Sequence, residues 1–204
     1  MNDARQLMID LLKARGVADP LVLDAMARAP RERFVAPEYA DVAYADRPLP
    51  IGGGQTISQP YVVAFMAEAA RLTPASRVLE VGGGCGYAAA VYGSIAADVV
   101  AIERDAAHAA DAAARRAELG FSNVAVVHGD GAKGLPEKAP FDAILVAAAS
   151  RKPPPALLDQ LVEGGRLIMP IGSQWRSQRL VRVVRDGGAF HEEGLGAVRF
   201  VPLL

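Results

Sequence analysis

The first thirty residues have the hydrophobic spacing of two short helices. Four apolar residues recur on one helical face, namely Leu7, Met8, Leu11 and Leu12. Gly16 follows where that helix would end, and Asp19-Pro20 is typical of a new helix with an aspartate N-cap and proline in its first turn. The second helix is predicted to run through Met26 and to stop near Pro30.

Residues 31–50 are punctuated by prolines and mixed in charge, and they include three aromatic residues. A free linker carries fewer aromatic side chains, so this composition predicts an ordered connection that packs on a larger domain. We therefore expect an N-terminal helical segment, residues 1–50, packed on a domain formed by residues 51–204. The two parts are predicted to form one structural unit.

From Thr56 onwards, predicted helices alternate with short apolar runs. Helices are expected over 60–72, 88–97, 106–119 and 155–161, and strands over 77–81, 98–102, 124–128, 141–147, 166–170, 179–185 and 198–203. Strands and helices that alternate at this spacing predict an α/β fold with a doubly wound, mainly parallel sheet and helices on both faces, as in Rossmann-like proteins.

Composition narrows the function classes. The chain has 204 residues, 51% of them hydrophobic, and Lys+Arg 22 against Asp+Glu 23 give a net charge of -1. This balance argues against a nucleic-acid-binding protein. One cysteine and three scattered histidines provide neither a disulfide framework nor a metal cluster. The sequence shows no secretory signal and no apolar stretch of the roughly 18 residues that a membrane span needs, so we expect a cytoplasmic protein.

The predicted strand over 77–81 runs into a glycine-rich turn. The turn reads Glu80-Val81-Gly82-Gly83-Gly84-Cys85-Gly86-Tyr87, with G-x-G-x-G spacing. Glycines at the carboxyl end of such a strand let the backbone approach a ligand closely. The G-x-G-x-x-G of dinucleotide binding is incomplete because Tyr87 fills its last position, which disfavours a hydride-transfer enzyme. A turn that only connects strand to helix is the structural alternative.

Two further carboxylates follow the next strands. Glu103 comes about 20 residues on, where a carboxylate can accept both hydroxyls of a ribose, and Asp130 lies between Gly129 and Gly131. Because the carboxyl ends of parallel strands meet at one edge of a sheet, Glu80, Glu103 and Asp130 are predicted to form one nucleoside-sized site.

This arrangement resembles the class I S-adenosylmethionine-dependent methyltransferases. In that resemblance Glu103 binds the ribose, Asp130 binds the adenine amine, and the glycine-rich turn binds the methionine end. The product of the cofactor would be S-adenosylhomocysteine. The cofactor-binding residues implied are Glu80, Gly82, Gly83, Gly84, Cys85, Glu103, Arg104, Asp130 and Gly131.

The class of methyl acceptor is indicated by what the sequence lacks. A hydroxyl or amine acceptor usually needs a base or a metal, whereas a carboxylate with a pKa of about 4 is already ionised. Methyltransferases that act on amines of nucleic-acid bases or on a protein glutamine carry Asn or Asp before Pro-Pro-aromatic after the fourth strand. Here residues 146–150 read VAAAS, so a carboxylate acceptor is favoured.

Residues 54–61, Gly-Gln-Thr-Ile-Ser-Gln-Pro-Tyr, provide a candidate site for that carboxylate. Pro60 marks a helix start, which places Ser58, Gln59 and backbone N–H groups at the positive end of a helix, an anion site. The alternative is that Thr56 or Ser58 only caps the helix.

The run GQTISQPYVVAFM, residues 54–66, closely resembles the segment before the first methyltransferase motif of protein-L-isoaspartate O-methyltransferases. Further colinear similarities cover nearly the whole chain: ADPLVLDAMARAPRERFVAPEY, AYADRPLPIG, VLEVG-x-G-x-GY, LGFSNVAVVHGDG, APFDAILVAAA, QLVEGGRLIMPIG and VRFVPL. The resemblance implies methyl-ester formation on the α-carboxylate of L-isoaspartyl residues in aged proteins and peptides. The ester then collapses to a succinimide, which allows return to aspartate.

The same resemblance assigns residues on the acceptor side. Ser58 would be the active-site serine, beside the transferable methyl group and the acceptor carboxylate. Gln178 would join the cofactor-binding set, and the run 198–203 would close the substrate side. The implied substrate-binding residues are Gln55, Thr56, Ile57, Ser58, Val198 and Arg199. No metal site is expected, and the enzyme is expected to be a monomer.

Several positions near the predicted site depart from the family's usual pattern. Gly53 replaces a larger side chain, Gly83 and Cys85 replace Thr and Ser, and Ala147 replaces Thr or Gly. Cys85 is either a small buried filler or, near a helix N-terminus, a thiol of lowered pKa. Trp175 either contacts a peptide or covers the edge of the core. These departures leave open a methyltransferase for another peptide or small-molecule carboxylate, and a weakly active cofactor-binding module.

Overall fold

A computed structural model describes residues 2–173 and 177–204. Within these residues the chain forms nine strands and six α-helices. The strands are β1 (Leu49–Gly52), β2 (Gln55–Ile57), β3 (Arg77–Val81), β4 (Asp98–Glu103), β5 (Val124–His128), β6 (Phe141–Val146), β7 (Leu161–Ile171), β8 (Gln178–Asp186) and β9 (Ala189–Val198). The α-helices are α1 (Asn2–Ala14), α2 (Pro20–Arg28), α3 (Pro60–Ala70), α4 (Tyr87–Gly93), α5 (Ala106–Glu118) and α6 (Pro155–Asp159).

The strands divide into a hairpin and one large sheet. β1 and β2 pair as an antiparallel hairpin, and the other seven form a sheet of order β5-β4-β3-β6-β7-β8-β9. β3 to β7 run parallel, and β8 and β9 run antiparallel to their neighbours. This confirms the predicted α/β fold with a doubly wound, mainly parallel sheet. Within the described residues, no helix is both long enough and apolar enough to cross a membrane.

The two faces of the sheet bury two hydrophobic clusters. Alternation along β3 sends Val78 into the cluster that contains side chains of α1 to α4, and sends Leu79 and Val81 into the cluster that contains Leu157 of α6. The last four residues of β3 are all buried, and three of them are hydrophobic. Glu80 is the exception. A carboxylate inside such a strand is therefore an exception that calls for a function.

The N-terminal segment shares the first of these clusters. Met8, Leu12 and Met26 are fully or almost fully buried in it together with Val63 of α3 and Val91 of α4. The predicted start of the second helix is present, since the Asp19 carboxylate accepts a hydrogen bond from the Leu21 amide at 2.9 Å. The apolar face of α1 extends beyond the core, because Leu7 is 69% exposed.

Residues 31–47 connect this segment to the hairpin through two 3-10 turns, Arg31–Phe34 and Pro37–Val42. Arg31 is fully buried, and its Nε donates to the Ala43 carbonyl at 2.7 Å. Its guanidinium lies 4.7 Å from the ring centroid of Tyr87, the first residue of α4. Burial lowers the pKa of Arg31. The connection is therefore ordered, as predicted, and it packs on the helix that follows the glycine-rich turn.

Three predictions of element boundaries are wrong. The last strand is β9, residues 189–198, and the run 198–203 is largely irregular apart from a bridge between Ala149 and Pro202. β9 is an exposed edge strand that includes a glycine bulge and charged residues, so it lacks the apolar signal of a buried strand. β7 begins at Leu161 rather than at residue 166, and it includes Gly164 and Gly165. The helix predicted over 88–97 is α4, which ends at Gly93. The hairpin of β1 and β2 was not predicted.

Candidate functional site

The carboxyl ends of three parallel strands meet above the glycine-rich turn. Glu80 of β3 pairs in register with Ala101 of β4, and Glu103 of β4 pairs with His128 of β5. Since residues paired across parallel strands point to the same face, and Glu103 lies two residues after Ala101, both glutamates lie on one face of the sheet. This face is the one covered by α3 and α4.

A cavity of about 780 Å³ opens at this edge. It is bounded by the acceptor turn (residues 55–59), by the glycine loop (residues 82–86) and by the C-terminal strap (residues 195–204). The predicted site residues that line it are Gln55, Thr56, Ile57, Ser58, Glu80, Gly82, Gly83, Cys85, Glu103, Arg104, Gly131, Val198 and Arg199. The tertiary structure thus brings the predicted cofactor and acceptor residues to a single cavity.

Glu80 is a buried carboxylate without a complete set of partners. Its side chain is 2% exposed, and its Oε2 has no hydrogen-bond partner among the described residues. Burial raises the pKa of Glu80 well above the ordinary glutamate value, and the charge of Glu103 adds to that effect. A buried carboxylate that faces a cavity in this state is suited to a cationic ligand.

Glu103 is held in a fixed position by two backbone amides. Its Oε2 accepts from the Gly84 N–H at 2.7 Å, and its Oε1 accepts from the Asp105 N–H at 2.8 Å. Gly84 itself does not line the cavity, and this hydrogen bond connects it to the site. An ionised carboxylate can accept about four hydrogen bonds, so Glu103 keeps capacity for two hydroxyl donors from the cavity.

The glycine loop packs closely against β4 and α5. A methyl group on Gly83 would lie 3.1 Å from Cβ of Ala101, and one on Gly86 would lie 3.2 Å from Cβ of Ala112 in α5. Gly86 also has φ +85°, which glycine adopts without strain. Gly83, one of the departures from the family pattern, therefore matches the short distance between the loop and β4.

Cys85 is the buried filler of the two alternatives. It is 7% exposed, and burial raises the pKa of its thiol to about 11. Its carbonyl oxygen accepts from Arg115 Nη1 at 2.9 Å, which ties the loop to α5. The other interpretation, a thiol of lowered pKa, is not supported, because burial outweighs the Tyr87 amide and the charges of Arg31 and Arg115. Ala147, a further departure, packs near Gly82, where a methyl group would lie 3.6 Å from its Cβ. Trp175 lies outside the described residues.

Besides Gly84, two predicted cofactor residues, Asp130 and Gln178, are not among the residues that line the cavity. The Asp130 carboxylate accepts from the Ala132 N–H at 3.0 Å and pairs with Lys133 at 3.4 Å, next to Gly131, which does line the cavity. Gln178 is buried, and its amide binds the backbone of Phe200: Nε2 donates to the Phe200 carbonyl at 3.0 Å, and Oε1 accepts from the Phe200 N–H at 2.7 Å. Gln178 therefore holds the C-terminal strap, and its position does not support the prediction that it binds the cofactor.

The start of α3 is not a vacant anion site. The Asp46 carboxylate accepts from the Tyr61 N–H at 2.9 Å, and it also accepts from Gln59 Nε2 at 2.8 Å. A carboxylate of the protein thus already occupies the positive end of this helix. The prediction that the acceptor carboxylate binds at the N-terminal end of α3 is therefore wrong. Ser58 itself lines the cavity, and it makes no side-chain hydrogen bond to any described residue.

Several cavity residues were not predicted. Arg15, in the turn directly after α1, and the aromatic pair Tyr61 and Phe65 line the acceptor side. The two rings are stacked with centroids 5.6 Å apart, and the Arg15 guanidinium lies 3.6 Å from the centroid of Tyr61. The i, i+4 spacing of the two aromatic residues after Pro60 is a signal that could have found them. Arg15 carries no such signal, since only tertiary packing brings α1 to this cavity.

Sequence comparisons with known proteins identify the family to which the chain belongs. The sequence model of the family described as protein-L-isoaspartate(D-aspartate) O-methyltransferase matches residues 2–204. The chain is 54% identical over 203 residues to the protein-L-isoaspartate O-methyltransferase of Roseiflexus castenholzii, covering 100% of this chain and 93% of that protein. It is 55% identical over 202 residues to the enzyme of the same name from Methylorubrum populi, covering 98% and 94%.

Solved structures agree with the sequence relatives. A protein-L-isoaspartate O-methyltransferase superposes with a TM-score of 0.89 at 33% identity, covering 97% of this chain and 65% of that longer chain. A beta-aspartate methyltransferase from Plasmodium falciparum, solved in complex with S-adenosyl-L-homocysteine, superposes with a TM-score of 0.85 at 26% identity and covers 98% of both chains. The chain therefore belongs to the protein-L-isoaspartate(D-aspartate) O-methyltransferase family.

Proposed function

We propose that the protein transfers the methyl group of S-adenosylmethionine to the α-carboxylate of L-isoaspartyl residues in damaged proteins and peptides. One observation carries this proposal: a single cavity joins the glycine loop and its two glutamates to the acceptor turn that contains Ser58. Relatives that are 54% and 55% identical over nearly the whole chain are named for the same activity.

The residues on the cofactor side fit S-adenosylmethionine. This molecule carries a cationic α-ammonium group, and Glu80 offers a buried carboxylate oxygen that has no partner among the described residues. Glu103 is fixed by two amides and retains acceptor capacity for the two ribose hydroxyls. The close backbone of Gly82 and Gly83 leaves room for the methionine end, while Arg104 and Gly131 lie on the same side of the cavity. Asp130 is proposed to reach the adenine amine by releasing its exposed pair with Lys133.

The residues on the acceptor side fit an ionised carboxylate. Ser58 presents a hydroxyl donor, and Gln55, Thr56 and Ile57 form the adjoining wall. Val198 and Arg199 of the C-terminal strap close the opposite side, and Arg199 supplies a positive charge for the acceptor. No general base is needed, because the carboxylate has already lost its proton at neutral pH.

The chain's contribution to the reaction is alignment and exclusion of water. When bound, S-adenosylmethionine supplies an electrophilic methyl group on a positively charged sulfur. The acceptor oxygen forms a bond to that carbon while the carbon–sulfur electron pair returns to sulfur, giving a methyl ester and neutral S-adenosylhomocysteine. Ser58 and the acceptor turn hold the oxygen in line with the bond that breaks, and the apolar strap keeps the reactants out of bulk water.

A pair of matched peptides tests this function. The two peptides differ only in carrying L-isoaspartate or L-aspartate at one position, and S-adenosylhomocysteine formation is measured with each. We expect turnover with the isoaspartyl peptide and little with the aspartyl peptide. Equal rates would point to a different carboxylate, and binding of S-adenosylhomocysteine by calorimetry without any turnover would point to a cofactor-binding module. Absence of S-adenosylhomocysteine binding would contradict all of these functions.

We also infer a monomeric cytoplasmic protein that does not bind nucleic acid, with residues 1–50 and 51–204 acting as one structural unit. The net charge of -1 and the free, buried Cys85 support the first part. The shared hydrophobic cluster of α1 to α4 supports the second. Light scattering of the purified protein tests the monomer, and a single cooperative unfolding transition tests the structural unit.

A further inference from the structure

Asp46 lies in the connection between the N-terminal helices and the hairpin, yet its carboxylate binds the start of α3. Its Oδ1 accepts from the Tyr61 N–H at 2.9 Å. The side chain of Gln59 donates through Nε2 to both the Asp46 Oδ2, at 2.8 Å, and the Asp46 carbonyl, at 3.0 Å. Gln59 is the N-cap residue of α3 but makes no side-chain cap bond of its own. Asp46 therefore caps this helix from a distant part of the chain.

Arg15 completes the network from the other side. Its Nη1 forms an ion pair with Asp46 Oδ2, and its guanidinium lies over the Tyr61 ring, 3.6 Å from the centroid. The Asp46 side chain is only 12% exposed, whereas that of Arg15 is 40% exposed at the cavity. A carboxylate that is largely removed from water and engaged by three donors holds them in a fixed arrangement.

These contacts enclose Ser58 on both sides along the chain. On one side Ile57 is fixed by pairing with Leu49 in the β-hairpin. On the other side Gln59 and Tyr61 are fixed by Asp46, which lies three residues before Leu49. The segment 46–49 thus binds both flanks of the acceptor turn, and Ser58 lies between these two anchored flanks on the cavity wall.

We propose that Asp46 is a positioning residue for the acceptor: it holds Gln59 and Tyr61 so that Ser58 faces the substrate, with Arg15 as its counter-ion. This inference rests on the proposed function and deepens it. It gives the N-terminal segment, residues 1–50, a role in the acceptor site, although Glu80, Glu103 and Ser58 all lie outside that segment. Small displacements of an aligned acceptor slow methyl transfer strongly, so the loss of Asp46 should reduce transfer rather than cofactor binding.

The first experiment compares Asp46→Ala with Asp19→Ala. Asp19 caps α2 with the same kind of hydrogen bond, at 2.9 Å, but makes no hydrogen bond to the acceptor turn, so it is a matched control. We expect both variants to lower Tm by about 2–4 °C, as the loss of one helix cap does. Only Asp46→Ala should lower kcat/KM for the isoaspartyl peptide, by about 10- to 100-fold, with the affinity for S-adenosylhomocysteine unchanged. Equal kcat/KM in the two variants would overturn the proposal. A loss of cofactor affinity in Asp46→Ala as large as its loss of kcat/KM would also overturn it.

Asp46→Asn keeps the test sharp if the alanine variant folds poorly. Asparagine can still cap the Tyr61 N–H, so stability should stay near that of the wild type. It cannot accept from Gln59 and Arg15 as the carboxylate does, so kcat/KM should still fall by about 10-fold. In the double variant Arg15→Gln/Asp46→Asn the two losses should be less than multiplicative, because both residues act in one network. Fully multiplicative losses would contradict the pairing of Arg15 with Asp46.

Amide hydrogen exchange separates this inference from the proposed function. Asp46→Asn and Asp46→Ala should accelerate exchange at residues 57–62, whereas Asp19→Ala should leave these residues unchanged. Unaltered exchange at the acceptor turn would overturn the positioning role whatever the substrate is. Wild-type protein that fails to distinguish isoaspartyl from aspartyl peptides would overturn the proposed function, and the exchange result would still decide whether Asp46 holds the turn.

Discussion

The imidazole of His108 occupies the space that a side chain on Gly53 would need. A methyl group on Gly53 would lie 3.3 Å from Cε1 of His108, and His108 Nε2 lies 3.3 Å from the Ile51 carbonyl oxygen. Helix α5 therefore contacts the tip of the β1–β2 hairpin through one ring. A side chain on Gly53 would therefore require the His108 ring to shift.

Replacement of Gly53 should be more costly while His108 is present. Gly53 has φ +57°, so Gly53→Ala is expected to lower the free energy of unfolding by about 1–2 kcal/mol from backbone strain, with a further loss from the contact with the ring. In a His108→Ala background only the strain should remain. Thermal or denaturant unfolding of the four proteins measures the difference, and an identical cost in both backgrounds would show that the ring imposes no constraint.

Glu80→Gln should stabilise the free protein and weaken cofactor binding. The pKa of Glu80 is raised in the folded state, so the stability conferred by its protonated form is full below the unfolded pKa of about 4.3 and is lost as the pH rises through the folded value. The advantage of the variant over the wild type should therefore be smallest near about pH 4.5 and grow towards about pH 8. Unfolding curves across this range check the sign, with the exposed Glu137→Gln as a control.

Cofactor binding should release a proton from Glu80. A cationic ligand favours the ionised carboxylate, so the proton that burial retains is lost to the buffer on binding. Titration calorimetry with S-adenosylhomocysteine in two buffers of different ionisation enthalpy measures that proton, and Glu80→Gln should abolish the buffer dependence and bind at least about 10-fold more weakly. Equal buffer dependence in both proteins would place the proton elsewhere.

Ser58→Ala should slow methyl transfer without loosening the cofactor. A hydrogen bond to a charged group contributes about 1.5–3 kcal/mol, which corresponds to a decrease of about 10- to 100-fold in kcat/KM for the isoaspartyl peptide. The affinity for S-adenosylhomocysteine should stay the same. Ser122, in an exposed turn outside the cavity, provides the control Ser122→Ala. Unchanged turnover in Ser58→Ala would show that the serine does not contact the acceptor.

Gln178→Ala should loosen the C-terminal strap. The variant loses both hydrogen bonds to the Phe200 backbone, so we expect faster amide exchange at Phe200, a fall of about 1–3 kcal/mol in unfolding free energy and a higher KM for the peptide. Gln160 is a matched control, because its buried amide binds the Leu135 N–H and the Lys133 carbonyl in the same way but makes no hydrogen bond to the C-terminal strap. A similar KM increase in Gln160→Ala would indicate a general loss of stability.

Local sequence patterns predicted most of the central sheet. β3 matches its predicted residues because a buried parallel strand is a continuous apolar run between turn signals. β5 also matches, although it is a partly exposed edge strand, because its valines favour a strand. β9 was missed because an exposed edge strand needs no apolar pattern, and the run 198–203 was misassigned because it is apolar through its position on the cavity wall. A run of apolar residues indicates that a segment is buried, but it does not show whether that segment is a β-strand or an irregular strap.

Spacing along the chain was enough to predict the fold class, the glycine loop and the meeting of Glu80, Glu103 and Asp130 at one edge of the sheet, because parallel strands end together. Resemblance of longer runs supplied the family and the role of Ser58. Three contacts became known only from the folded chain: Asp46 at the start of α3, Arg15 at the cavity and Gln178 on the strap. Each of these contacts joins residues far apart in sequence, and the partner of a polar side chain depends on which groups packing leaves within hydrogen-bond distance.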